Sequence, residues 1–157
     1  MTEHDLTDEA AMELALVEAR ASLAHGDVPV GAVVLRDGEV ISSRHNEREL
    51  TGDPTAHAEV LAIRDAAASL RTWRLDGCTL VVTLEPCPMC AGAIWAARMS
   101  RVVFGPPDMK AGSLGSLYHF GSDPRLNHTF DTRANVSPEA SAELLTSFFA
   151  ELRTASK

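Results

Sequence analysis

Two short segments about thirty residues apart constrain this chain more than any other feature. They are His57-Ala58-Glu59, within TAHAEVLAIR, and Pro86-Cys87-Pro88-Met89-Cys90, which follows an apolar, strand-like run. Together they offer one imidazole, two thiols and one carboxylate. Nitrogen and sulfur suit zinc; a catalytic zinc commonly has three protein ligands and leaves the fourth position to water, whereas a closed structural site takes a fourth Cys or His. His57, Cys87 and Cys90 are the candidate ligands. A Glu two residues from the His is what proton transfer would need, which makes Glu59 the candidate acid–base group. A C-x-x-C pair alone also marks redox pairs and zinc knuckles, and His and Glu on one helix are common on surfaces, so the conjunction carries the signal.

At 157 residues the chain fits one domain, 1–157, large enough to bury a core without staples. No apolar run approaches membrane-spanning length. The start, MTEHDLTDEA, is acidic and lacks the charged-then-apolar pattern of a signal peptide, so a cytoplasmic location is expected. Of three cysteines, two are claimed by the metal site and Cys78 begins an apolar strand as a small buried thiol, which leaves no disulfide framework. The net charge of −8 argues against broad adhesion to nucleic acid but leaves room for a local basic patch. Arg98, Arg101 and Lys110 lie near the second half of the motif, and Arg153 and Lys157 near the end.

Apolar residues recur at helical spacing from Thr7, a plausible N-cap, to about Ala24, and Gly26-Asp27 ends that helix. Val28 to Leu35 reads as a strand, Asp37-Gly38 as a hairpin turn, and Val40 to His45 as the partner strand. A polar loop covers Asn46 to Gly52. Asp53-Pro54 then reads as N-cap and first position of a helix to about Ser69. Cys78 to Thr83 is a buried strand, Pro86 opens a helix to about Met99, and Arg101 to Gly105 is another buried strand. From Pro106 to His128 loops dominate, with room for a short helix. Ser137-Pro138 starts the last helix, whose stripe of Leu144, Leu145, Phe148, Phe149 and Leu152 reads mainly as core packing. A hairpin followed by alternating helix and strand, with helices left to cover both sheet faces, is an α/β pattern.

Both halves of the metal motif fall at helix starts, where free N–H groups and the helix dipole favour anions and so stabilise deprotonated Cys87 and Cys90. On one helix His57 and Glu59 would point about 200° apart, so spacing alone does not aim the carboxylate at the metal. A zinc ion with an open position lowers the pKa of its bound water to about 7, giving a hydroxide nucleophile at neutral pH. Glu85, just before Pro86-Cys87, suits a capping or structural role. His45 is not expected to be a ligand, and His4, His25, His119 and His128 fall in loops or termini where a lone histidine is usually solvated.

H-x-E followed by P-C-x-x-C is the pattern of zinc-dependent nucleobase deaminases, and at these residues the chain resembles the cytidine deaminase-like superfamily. Within it the resemblance is strongest to the bacterial tRNA-specific adenosine deaminase family. It takes in VPVGAVV from Val28, Asn46, DPTAHAE from Asp53, TLEPCPMCAGA from Thr83, and Arg98 with RVVFG from Arg101. It continues through D-x-K-x-G-x-x-G-S from Asp108, Leu126-Asn127-His128 and LL-x-x-FF from Leu144, and so covers nearly the whole chain.

The resemblance implies a three-layer α/β/α sandwich around a five-stranded mixed sheet, and one zinc per subunit on His57, Cys87 and Cys90, with Glu59 as proton shuttle. It implies a homodimer that converts the wobble adenosine of a tRNA anticodon stem-loop to inosine. Asn46 matches the position that hydrogen-bonds the flipped base. Val30, Ala58 and Leu84 fall where pocket walls are expected, and Asp108 and Phe149 match regions that meet flanking nucleotides. Phe149 is also the one residue of the C-terminal stripe read as able to stack on RNA. The acidic balance and the scarcity of cations in the tail imply local contacts and a shallow salt dependence.

Two other readings remain. One is a free-base deaminase acting on guanine or cytosine, whose relatives share P-C-x-M-C; the Asp108–Ser116 loop and the LL-x-x-FF helix favour the tRNA substrate. The other is a non-catalytic zinc-containing RNA-binding subunit, which could dispense with the carboxylate that Glu59 supplies.

Overall fold

Alternation along short strands decides the layering of this molecule, a computed structural model that describes residues 5–156. In β1 (Gly31–Arg36), β3 (Cys78–Val82) and β4 (Arg101–Phe104), successive side chains point to opposite faces. Ala32, Val34, Leu80, Val82, Val102 and Phe104 pack on one face against Ala62 and Ala66 of α3 (Ala58–Leu70) and Ala91 and Ile94 of α4 (Pro88–Ala96). Val33, Leu35, Val81 and Val103 pack on the other against Ala11, Met12, Ala15 and Leu16 of α1 (Asp8–Ala21), with Ala140 and Leu144 of α5 (Pro138–Ala155) at the edge. Each fully buried Val, Leu, Ile or Met contributes about 1.5–3 kcal/mol relative to exposure, so both layers are needed.

The sheet has five strands in the order β2-β1-β3-β4-β5, with β2 at Glu39–His45 and β5 at Asp131–Arg133. β1 is antiparallel to both β2 and β3, while β3, β4 and β5 run parallel. The β1–β2 hairpin turns at Asp37 and Gly38, both at positive φ (52° and 75°), the geometry that matches strand twist. α1 crosses directly over the start of β1, where a Cβ on Gly31 would overlap the backbone of Ala15 and Ala19. Only glycine permits that approach.

Several expectations hold. Thr7 caps α1 by accepting Ala10 N–H at 3.1 Å, Cys78 is a buried free thiol, and the last helix opens at Pro138. Others are corrected. The first strand begins at Gly31, after Val28-Pro29-Val30. The 46–52 loop contains a one-turn helix, α2 (Arg48–Thr51). The 106–128 segment forms turns and one isolated bridge, Leu114 to His119, and no helix.

The C-terminal stripe is core only along its inner side, where Leu144 and Leu145 are partly buried against the two apolar layers. Among described residues of α5 only Ser141 is buried, Phe149 is 40% exposed and Leu152 51%. His25 is not simply solvated: its ring stacks on that of His45 at 5.3 Å, and each Nδ1 lies 2.6 Å from a carboxylate, Asp27 and Glu18 respectively. His128 bonds Met99 O at 2.7 Å. His4 and Lys157 lie outside the described residues. No helix among the described residues is long and apolar enough to cross a membrane.

Candidate active site

The helix that carries the first half of the motif does not start at Pro54. Asp53 directs its carboxylate to the N–H and hydroxyl of Thr55, both at 2.8 Å, and its carbonyl to Ala56 N–H, closing a turn ahead of the helix. α3 begins at Ala58, with His57 as the N-cap residue in extended geometry (φ −76°, ψ 147°). The 200° separation of ideal helical positions therefore does not apply: His57 lies outside the helix, and Glu59 is its second residue. The cap comes from elsewhere in the chain. Asn46 Oδ1 accepts Ala58 N–H at 2.8 Å, while Asn46 Nδ2 donates to Val28 O at 3.0 Å. Ser22 donates its hydroxyl to Asn46 O at 3.0 Å, and Asn46 N–H bonds Val30 O at 3.1 Å. Asn46 thus ties the end of β2 to the segment before β1 and to the start of α3.

α4 repeats the arrangement. Cys87 is its N-cap in extended geometry, Pro88 takes the first helical position, and Cys90 lies one turn in. His57 Nδ1 lies 3.7 Å from Cys87 Sγ and 3.4 Å from Cys90 Sγ, and the three ligand atoms are all within 4.8 Å of one another. A tetrahedral zinc about 2.3 Å from sulfur and about 2.0–2.1 Å from nitrogen sets neighbouring ligand atoms about 3.5–3.8 Å apart. The observed separations match that geometry, and the donor set is the one zinc prefers.

The electrostatics set the two thiols apart. A hydrogen bond from Cys90, and after it His57, hold the Cys87 thiol down to about 4 against its burial. The Cys90 thiol is pushed up, by its bond to Cys87 and then by burial. The Cys87 contact raises His57. Glu59 is 4% exposed, burial raises its carboxyl above the ordinary range, and its Oε1 has no hydrogen-bond partner among the described residues.

These groups face a cavity of about 190 Å³, below the range of about 300–1,000 Å³ typical of drug-sized ligands and on the scale of a single ring system. His57, Glu59 and Cys87 line it, Val28, Val30 and Leu84 form apolar wall, and Asn46 adds a polar edge. Arg48, Glu85, Asp108 and Ala111 complete the lining. The structure thus brings together His57, Cys87, Cys90, Glu59, Asn46, Val30, Leu84 and Asp108.

Ala58 stands apart: it is wholly buried in the α3–sheet core and absent from the cavity wall, while its N–H bonds Asn46 Oδ1. Phe149 is also absent from the lining and meets Phe148 edge-on at 5.3 Å between ring centres. Val28, Arg48 and Ala111 were not among the expected site residues: Val28 reads as a strand residue of VPVGAVV, Ala111 is an unspecified position of the run from Asp108, and Arg48 falls in the polar 46–52 stretch.

Glu85 takes the structural role expected of it. Its carboxylate accepts from Asp108 N–H at 3.0 Å, Leu114 N–H at 3.0 Å, Ser116 N–H at 3.1 Å and the Ser116 hydroxyl at 2.5 Å. Burial raises its pKa, but these bonds, the Ser116 hydroxyl foremost, outweigh that and leave it below the ordinary carboxylate value. A Cβ on Gly112 would overlap the Glu85 carboxylate, so glycine lets the loop close over it. Arg98 is held by its own chain, over Trp95 at 5.1 Å and Trp73 at 5.9 Å.

Comparison with known proteins agrees with this geometry. The cytidine and deoxycytidylate deaminase zinc-binding region matches residues 6–106. A tRNA-specific adenosine deaminase of Bacillus subtilis is 45% identical over 150 residues, covering 96% of this chain and 93% of the relative. One from Aquifex aeolicus is 45% identical over 145 residues, covering 92% and 95%. A solved structure from work on A-to-I editing by tRNA:A34 deaminases superposes with a TM-score of 0.83 at 45% identity, covering 86% of this chain and 98% of its own. A guanine deaminase from Nitrosomonas europaea superposes with a TM-score of 0.77 at 27% identity, covering 93% and 87%. With the zinc-binding region matched over most of its length and near-complete relatives at this identity, the chain belongs to the cytidine and deoxycytidylate deaminase family and, within it, to the tRNA-specific adenosine deaminases.

Proposed function

We propose that this chain, acting as one deaminase domain, hydrolyses the wobble adenosine of a tRNA anticodon to inosine, with one zinc ion held by His57, Cys87 and Cys90. The observation that carries the reading is Glu59, a buried carboxyl with an unpartnered oxygen, lining a ring-sized cavity beside the His/Cys/Cys group. Zinc, when bound, acidifies a water molecule at the open side of the site.

The chain's own residues do the rest. The reaction replaces the C6 amino group of adenine with oxygen and releases ammonia. Glu59 accepts a proton from the water, delivers it to the ring nitrogen N1, and carries a second proton to the departing amine; burial raises its pKa above the ordinary carboxylate value, which makes it the stronger base. Val28, Val30 and Leu84 exclude water from the faces of the base. Two of the hydrogen-bonding positions on the Asn46 amide are occupied by Ala58 and Val28, which leaves its second N–H for an acceptor on the base. Asp108, at the cavity edge, is suited to meet a neighbouring nucleotide, and Phe149, exposed on α5, to stack on one further out. A tRNA loop presents its bases splayed, so extrusion costs less than from a duplex. The homodimer and the cytoplasmic location rest on the family relationship.

The deciding assay incubates zinc-loaded protein with an anticodon stem-loop bearing a wobble adenosine and, separately, with guanine, cytosine and cytidine. Inosine in the RNA alone is the expected result. Ammonia from a free base with an untouched stem-loop overturns the reading in favour of a free-base deaminase.

A further inference from the structure

An acidic chain of net charge −8 has to attract RNA through local contacts, and most of its cations near the site are committed. Arg44 pairs with Asp65 at 2.9 Å and Glu47 at 2.8 Å, and Arg98 lies over two tryptophan rings. Further away Arg101 and Arg133 share Asp8, and Arg74 pairs with Asp76. Arg48 differs. It is exposed, it is the one guanidinium or ammonium group lining the cavity, and among the described residues no carboxylate or ring takes it up.

The backbone that presents it is fixed. The Asp27 carboxylate, 1% exposed and held by His25 at 2.6 Å, accepts Glu49 N–H at 2.8 Å and Leu50 N–H at 3.2 Å. Gly52 N–H closes back on Arg48 O at 2.9 Å. With these N–H groups consumed, the cation available there is the side chain rather than the end of the turn. Arg48 also follows Asn46 by two residues, so one short rigid segment supplies the polar edge of the base cavity and the charge beside it. A nucleotide has the same layout, with a base joined through its sugar to a phosphate.

Resting on the reading above, we propose that Arg48 forms a phosphodiester-binding subsite at the mouth of the cavity, contacting a phosphate that flanks the target nucleotide and favouring a nucleotide within an RNA chain over a free base.

The test is a binding measurement on zinc-loaded protein carrying Glu59→Gln, so that turnover does not intervene. Arg48→Ala is expected to raise the Kd for the anticodon stem-loop about 10-fold and to reduce the salt slope of log K by about one, as loss of a single phosphate contact does. Arg48→Lys, which keeps the charge, restores the slope. A stem-loop with neutral methylphosphonates at the two phosphates flanking the wobble adenosine costs the Arg48 protein a similar factor and costs the Ala variant nothing further. A Kd within twofold of the parent, or losses from variant and methylphosphonate that multiply, overturns the subsite. If protein with Glu59 intact leaves the stem-loop unedited, the proposed function falls while the Kd comparison still decides on Arg48.

Discussion

Asn46 caps a helix that starts twelve residues after it: its Oδ1 accepts Ala58 N–H at 2.8 Å and so fixes His57 in extended geometry just ahead of α3. Removing this acceptor strands the first N–H of a buried helix start. Asn46→Ala is expected to destabilise the fold by about 1–2 kcal/mol, the upper range for a lost cap, and to weaken zinc retention through His57. Urea midpoints at unchanged m-value, with zinc content measured in parallel, check both; an unshifted midpoint would show that the cap contributes nothing.

Glu59→Gln keeps the shape of the side chain and removes its ability to relay protons. Zinc content is expected to stay at one per chain, while turnover on the stem-loop falls by about 10²–10⁴-fold, the range for a general acid–base group. Turnover equal to wild type sinks the mechanism.

Metal removal separates chemistry from architecture. The two apolar layers are built from side chains other than His57, Cys87 and Cys90, so the chelated protein is expected to keep its far-ultraviolet circular dichroism while losing activity, and to regain it with added zinc. Cys87→Ala and Cys90→Ala should purify with zinc well below one per chain. An unfolded chelated protein would mark the metal as structural instead.

Acid should loosen the loop that Glu85 holds. Its folded pKa lies below the ordinary Glu value of 4.5, because its hydrogen bonds outweigh burial. Its contribution is therefore fully present above about pH 4.5 and is lost as pH falls from there through the lowered folded value. Glu85→Gln should be less stable than wild type at neutral pH, with the two stability curves converging in acid. Parallel curves down to pH 3 would exclude the carboxylate as the anchor.

What the sequence made legible were features fixed by near neighbours. Asp37-Gly38 makes its own turn, Thr7 caps its own helix, and Pro86-Cys87-Pro88 marks the start of α4 to within two residues, the helix beginning at Pro88. The misread elements depend on distant partners. Asp53-Pro54 has the local form of a helix start, yet Thr55 takes the Asp53 carboxylate and the true cap is Asn46, which the sequence does not place beside Ala58. β5 had no residue-level signal because all three of its side chains are exposed on an edge strand. The α5 stripe has the periodicity of a core helix, but only its inner side meets the sheet. At the site, the ligand set and Glu59 were readable from residue type, whereas Arg48 and the departure of Ala58 from the wall follow only from how the 46–58 segment folds back.

The loop over the cavity is anchored mainly through main-chain N–H groups, those of Asp108, Leu114 and Ser116, all on one carboxylate adjacent in sequence to Pro86-Cys87. Every residue except proline has such a group. The side chains at 110 and 111 can therefore be exchanged without detaching the loop from the turn that carries the ligands, whereas Glu85 and Gly112 cannot, and the Asp108 carboxylate shapes the loop by accepting the N–H groups of Lys110 and Ala111. On the proposed reading, in which this loop meets the RNA, the fold separates which RNA is recognised from how the base is deaminated, and a new substrate preference can arise in the loop while the chemistry beneath it stays in place.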